Sequence, residues 1–538
     1  MNGSRPSPRA DAALALAAVL LLWAATPPAW FVGAEFLVVP GWMATYALFT
    51  RTTRPLLWGH AVGAAHILCF SFSLRHVLLP GWVAIGIVGG CYTLLAAWFV
   101  RLRGARNGPW AWALAVAAIQ WLRAHMPEMH YPHGQPCHAL WEWPVLLAPV
   151  RWGGEVLLNG LVGWVSAAAV DTFRGWQTGT TPFGRARFRL AGGLAAWLLL
   201  ALGARAAAAG VTDADAAPAA PVRMAAVEPG YHPARLTSAR EYAEVYRSRL
   251  LDPTRELLAR PEPPALVLWP ESTHPGHVAS APAGEPRWEG RGWPLPELPG
   301  DTRLLVGAMV VRADGTETPA AVLLGPGGTV HGHHEKRVLV PAGEYVPFLF
   351  LLPEAAAQAV RDTVRAWMGA VPDNVFGRPQ PLLVARTDAG AEVPFGAMLC
   401  FDNAFGWVGR EAVADGARFL AVLSNEAWYE GGAELEQLLA MTVVRALETD
   451  TPLVRCTMDG LTAHVARDGR VVGLLPKVPA PSPGPRVLEV AVQPGPGRLP
   501  AGASLVRGHE VLLALGWLCV LWSSRRLSGT RTLDAGGS

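Results

Sequence analysis

Charge is what this chain has least of. Only 16% of its 538 residues are Asp, Glu, Lys or Arg, whereas 51% are hydrophobic. That ratio excludes a soluble enzyme along the whole length and calls for a membrane part. The formal net charge of +3 gives no reason to expect a nucleic-acid partner. Cysteine is sparse too. Cys69, Cys91, Cys137, Cys400, Cys456 and Cys519 include no CxxC pair, so neither a disulfide framework nor a zinc ribbon is indicated. A Walker A loop and a dinucleotide fingerprint are both missing, and no cofactor is expected.

Apolar residues, by contrast, are abundant and unevenly placed. Spans are predicted near 11–31, 34–50, 56–78, 80–100, 108–125, 148–172, 188–208 and 508–524. Several are about 17–25 residues long, as a helix crossing the hydrocarbon of a bilayer requires. The first follows a basic stretch, as a signal peptide does, but further spans come in series, so it reads as a retained helix. Arg5 and Arg9, Arg51 and Arg54, Arg101, Arg103 and Arg106, then Arg174, Arg185 and Arg187 mark alternate loops, and Arg525, Arg526 and Arg531 follow the last span. The positive-inside bias puts the N-terminus in the cytoplasm and residues 220–495 on the external face. Three parts are therefore expected: a transmembrane domain over 1–210, a globular domain over 220–495, and a last helix over 508–524, with an Ala-rich, Pro-containing linker at 205–220.

Within 220–495, apolar runs at 221–229, 265–272, 303–311, 319–328, 391–400 and 419–425 read as strands, followed by two more in "PLVRCT" and "LTAHVA". Residues 238–259 and 434–450 carry helical periodicity. Strands alternating with helices imply a layered α/β domain.

Three strand or loop edges carry reactive groups. Glu271 follows "LVLWP", Lys336 lies in "HHEKRVLVPAGEYVPF", and Cys400 ends "FGAMLC". Singly, each has an ordinary reading: a solvated carboxylate, a surface ammonium, a buried filler thiol. Together they make a nucleophile site. A thiolate attacks acyl carbon, a carboxylate takes the thiol proton, and an ammonium holds the developing oxyanion. Glu344 and Asp402 are candidate supporting carboxylates.

Glu, Lys and Cys in this order on strand ends resemble the nitrilase (carbon–nitrogen hydrolase) superfamily. "LWPES", the block Lys336 to Pro347 ("KRVLVPAGEYVP"), and "SNEAWY" (424–429) followed by "RALE" (445–448) are similar to the apolipoprotein N-acyltransferase family. The resemblance implies a four-layer αββα sandwich joined to a polytopic membrane domain of about eight helices. It implies Glu271 as general base, Lys336 as oxyanion stabiliser, Cys400 as nucleophile and Glu344 as a second, orienting glutamate. Phe401 and Asp402 stand where the family usually has Tyr and Glu, Glu228 stands where it commonly has Gln, and "HHEK" lacks a Tyr often found before the lysine. The implied reaction moves an acyl chain from a phospholipid, typically phosphatidylethanolamine, through a Cys thioester to the α-amine of the diacylglyceryl-cysteine of an apolipoprotein. It implies residence in a bacterial inner membrane with a periplasmic catalytic domain. The alternative is a membrane-tethered amidase that hydrolyses C–N bonds with the same residues.

Three further stretches stand out. "HMPEMHYPHGQPCH" (125–138) is rich in His and Cys, but its spacing fits no zinc pattern, and it reads as an interfacial loop. "HGHH" (331–334) reads as a polar turn. "PFLFLLPEAAAQAVRDTVRAWMG" (347–369) is amphipathic; it is either a helix packed on the domain or an arm that dips into lipid.

Overall fold

The computed structural model describes residues 7–503 apart from 104–107, 180–182, 211–219, 280–285 and 370. The chain divides into two compact units. Among the described residues, one comprises those within 7–125, 131–207 and 500–503, and the other those within 126–130 and 208–499.

The first unit is helical: Pro8–Ala25, Val38–Arg51, Pro55–Phe70, Leu74–Arg103, Pro109–His125, Val150–Thr178 and Phe183–Gly210. Among the described residues four stretches are long and apolar enough to cross a bilayer: Pro8–Ala25, Leu74–Arg103, Val150–Thr178 and Arg187–Ala208. The span expected at 34–50 is instead a tight turn, Ala34–Leu37, and a helix of 14 residues, Val38–Arg51. The span expected at 508–524 lies outside the described residues.

The predicted break before Pro80 also moves. The preceding helix already stops at Phe70, where the Ser71 hydroxyl donates to the Ile67 carbonyl at 2.6 Å. The next helix runs from Leu74 straight through Pro80, with Leu78 thrown to φ −160° and ψ 100°. Proline has no N–H to give the helix and its ring crowds the turn before it, so it kinks this helix rather than starting it. The His-rich loop is corrected as well. His133, Gln135, Cys137 and His138 are all buried, so the later half of the loop is an interior segment of the first unit, while His125 and Met126 are exposed and Met126–His130 belong to the second.

The second unit contains two sheets. The first is built from β1 (Val222–Glu228), β2 (Leu266–Trp269), β3 (His277–Ala279), β4 (Arg287–Glu289), β5 (Arg303–Val311), β6 (Glu317–Leu324), β7 (Val330–Glu335) and the late strand β14 (Arg486–Val492). Its order is β14-β1-β2-β5-β3-β4, with β6 and then β7 continuing from β5. The second sheet holds β8 (Leu383–Arg386), β9 (Glu392–Leu399), β10 (Leu420–Ser424), β11 (Leu453–Thr457), β12 (Ala463–Val465) and β13 (Val471–Leu474), in the order β13-β12-β11-β10-β9-β8. Strands β9, β10 and β11 run parallel, as do β1, β2 and β5.

Alternation along the strands sets the layers. Met224, Ala226, Leu266 and Leu268 of the first sheet join Phe395, Ala397, Leu399 and Leu423 of the second in one buried cluster. Their neighbours Ala225, Val227, Val267 and Trp269 face the other way, onto Tyr246, Leu250 and Leu257 from the helical layer Ala239–Leu258. Successive side chains of a strand point to opposite faces, so each β1 and β2 residue is committed to one layer. Helices Gly406–Ala414 and Glu434–Thr449 pack on the second sheet. The result is the nitrilase-like helix–sheet–sheet–helix fold.

Two local readings change. The helix expected over 238–259 is interrupted by a wide turn at Arg247–Leu251, just before Pro253, whose missing N–H loosens the ladder. "HGHH" is no turn; it lies within β7, where Ala321 pairs with His334 and Val322 with His333.

Candidate active site

Lys336 meets Glu271, 65 residues before it in sequence, and Glu344, eight residues beyond it. Glu271 follows the end of β2 through Pro270. Its backbone is pressed against β5 at Gly307, where a Cβ would lie 2.4 Å from the Glu271 Cα, so only glycine leaves room. Lys336 follows β7 and is fully buried. Its Nζ donates to Glu271 Oε1 at 2.8 Å and to Glu344 Oε1 at 2.7 Å. The second oxygens are fixed by backbone. Glu271 Oε2 accepts the Asn425 N–H at 3.1 Å, and Glu344 Oε2 accepts the Val340 N–H at 2.8 Å.

Cys400 is the first residue of a tight turn, Cys400–Ala404, directly after β9. Its φ of 43° is left-handed, a conformation that costs a residue with a side chain about 1–3 kcal/mol. Such strain persists only where the surroundings over-determine it, and Asp402 supplies that. Fully buried, its Oδ1 accepts the backbone N–H groups of Arg337 (3.0 Å) and Val338 (2.8 Å). Its Oδ2 accepts the Leu399 N–H (3.1 Å) and faces His334 Nε2 (3.2 Å). The other replacement, Phe401, is buried edge-on against Phe405, with centroids 5.0 Å apart, and lies 5.6 Å from the His130 ring.

The electrostatics follow from one buried cation between two carboxylates. Burial works against the charge on Lys336, but Glu271 and Glu344 outweigh it and hold the ammonium protonated. Glu344 is pushed up, first by burial and further by the charge of Glu271, with Lys336 opposing. Burial, then Glu271, pushes the Cys400 thiol up to about 12; Lys336 and a hydrogen bond from the Ser424 hydroxyl pull the other way. At rest the Cys400 side chain is therefore a thiol, and a thiol needs a base before it can act as a nucleophile.

Sequence reading overlooked several partners. Asn425, Ser424, Gly307 and His334 all touch the site; Asn425 and Ser424 lie in "SNEAWY" and His334 in "HGHH", which reads in sequence as a polar turn, while Gly307 lies in a run that reads only as a strand. Glu228 at the end of β1 is balanced by Arg486 of β14 and accepts from the Thr457 hydroxyl at 3.0 Å, so the extra charge has a partner. Outside the site, Phe348, Phe350, Leu351, Leu352 and Trp367 are exposed on the stretch just after the Lys336 block, in and around helix Glu354–Met368.

Residues 295–481 match the family described as Carbon-nitrogen hydrolase. The apolipoprotein N-acyltransferase of Geobacter metallireducens is 31% identical over 261 residues, covering 48% of this chain and 44% of the relative. That of Vibrio vulnificus is 30% identical over 203 residues, covering 36% and 35%. These matches span less than half the length of either curated relative. A solved amidase from Nesterenkonia sp. aligns with 57% of this chain and 100% of its own at 15% identity and a TM-score of 0.33. Residues 295–481, all within the second unit, are thus similar to the carbon–nitrogen hydrolases. The curated relatives that the chain matches carry the name apolipoprotein N-acyltransferase.

Proposed function

We propose that the protein is a membrane-bound acyltransferase that N-acylates lipoproteins. The observation that carries this reading is the buried Lys336 held by Glu271 and Glu344, with a strained, protonated Cys400 in the same electrostatic field. Glu271 takes the thiol proton as the Cys400 sulfur attacks the ester carbonyl of a phospholipid such as phosphatidylethanolamine. Lys336 faces the negative charge that develops on the carbonyl oxygen. The lysophospholipid leaves with the proton, and a thioester remains on Cys400. The α-amine of a diacylglyceryl-cysteine at the N-terminus of an apolipoprotein then attacks the thioester. Glu271 accepts its proton, an amide forms and the thiol is restored. Glu344 orients Lys336, and Asp402 orients the turn of Cys400. Two half-reactions on one sulfur are a ping-pong scheme.

The arginine pattern supports a bacterial inner-membrane protein of about eight spans with a cytoplasmic N-terminus and residues 220–495 in the periplasm. The exposed apolar stretch at 348–352 suits a donor drawn from lipid.

The test uses the full chain in vesicles, supplied with phospholipid and a synthetic peptide bearing a diacylglyceryl-cysteine. N-acylated peptide and lysophospholipid should appear in equal amounts. Release of ammonia from small amides without lysophospholipid would identify an amidase instead.

A further inference from the structure

The first unit contains a cluster that acyl transfer does not use. Cys137 and His138 lie in the tight turn Pro136–Leu140, and Glu155 lies on helix Val150–Thr178. One ligand atom from each falls within 4.8 Å of the other two. Cys137 and His138 are fully buried and Glu155 is nearly so. We propose that Cys137, His138 and Glu155 bind a divalent transition metal of the zinc type.

Three observations point this way. The ligand set is thiolate, imidazole and carboxylate, the mixed S/N/O chemistry that zinc accepts. A tetrahedral zinc with ordinary bond lengths holds such atoms about 3.3–3.6 Å apart, so His138 Nε2 and Glu155 Oε1, now 2.9 Å apart, need open only slightly.

The charges also balance. A thiolate and a carboxylate neutralise a divalent cation, and a neutral assembly is what a buried site in an apolar helical unit favours.

The surrounding hydrogen bonds form a closed frame. Asn159 Oδ1 accepts the Cys137 N–H at 3.0 Å, and Asn159 Nδ2 donates to Gln135 Oε1 at 2.7 Å. Gln135 Nε2 then reaches Glu155 Oε2 at 3.3 Å. Partners of this kind aim ligands before a metal arrives. The fourth position is left to water or to the ring of His133 in the same buried segment. Bound there, the metal would clamp the turn to the helix.

The test uses full-length protein purified in detergent without a polyhistidine tag or chelator. Elemental analysis should find stoichiometric zinc. Exchange with Co²⁺ should give thiolate-to-cobalt absorption in the near ultraviolet, absent in Cys137→Ser and weakened in His138→Gln. Should those variants not fold, a protein with Cys69, Cys91, Cys400, Cys456 and Cys519 all replaced by Ala keeps Cys137 alone and should keep the cobalt band. Loss of the band in that protein, its survival in Cys137→Ser, or wild type that takes up neither metal would each overturn the site. The cluster would then be a hydrogen-bonded clamp only. None of these readouts depends on acyl transfer.

Discussion

Asp402 Oδ1 accepts the backbone N–H of Val338 at 2.8 Å, and so ties the turn that carries Cys400 to the segment that leaves Lys336. The same carboxylate takes the N–H groups of Arg337 and Leu399. Three backbone donors from two separated segments converge on one buried side chain.

Asp402→Ala should therefore leave those donors buried without acceptors, at about 1–3 kcal/mol each. The melting temperature should fall along with turnover. Asp402→Asn should lose less, because one amide oxygen still accepts. Calorimetry and acyl transfer on the two variants check this; an unchanged Asp402→Ala melting temperature would refute the tie.

Glu271→Gln should move two quantities in opposite directions. Turnover should fall by roughly 10² or more with the base gone. The thiol of Cys400 should become more acidic than its present value of about 12, since a negative neighbour is removed and Lys336 acts on the sulfur less opposed. The pH dependence of iodoacetamide labelling at Cys400 reports the second change. A variant that is slow but shows an unmoved labelling profile would mean that Glu271 does not act on the sulfur.

Lys336→Met should strand two carboxylates in a buried site and cost about 3–5 kcal/mol. Adding Glu344→Gln should recover much of that stability and none of the activity. Denaturant titration beside turnover separates the two effects.

Wild-type protein given phospholipid alone should gain the mass of one acyl chain on Cys400, and neutral hydroxylamine should release it. Cys400→Ala should never acquire it. Intact-protein and peptide mass spectrometry decide the matter, and an acyl mass on Cys400→Ala would end the covalent scheme.

Replacing the exposed Phe350 and Leu351 with Ser should raise KM for phospholipid in vesicles. Turnover of a short-chain, water-soluble ester should stay as it was. Equal effects on both donors would assign this stretch to packing.

Much of the second unit was legible because its strands are strongly patterned. The runs at 303–311 and 419–425 are apolar on both faces, since each sheet is covered on both sides, and such runs announce themselves. Lys336 was legible for a different reason: it opens the "KRVLVPAGEYVP" block that carries the family resemblance. β7 was hidden because its residues, "VHGHHE", are polar and owe their strand geometry to pairing with β6. Asp402 could be named but not understood. Its role depends on N–H groups some 64 residues upstream, which no local pattern links to it. The burial of the Cys137 segment was likewise unreadable, because polar residues enter a core only when distant partners such as Asn159 and Glu155 satisfy them.

β1 and β14 pair antiparallel along their full length, Val222 with Val492 through Glu228 with Arg486. On a ribosome this has a consequence for the order of events. β1 is among the first parts of the second unit to emerge, and Glu271, Lys336 and Cys400 follow. The partner that closes the outer edge of β1 is almost the last. A chain terminated between Cys400 and Arg486 would contain every residue assigned to catalysis and still present β1 with its backbone donors and acceptors unmet, an invitation to pair with another chain. Late nonsense mutations in this protein should therefore yield aggregates rather than weakly active enzyme.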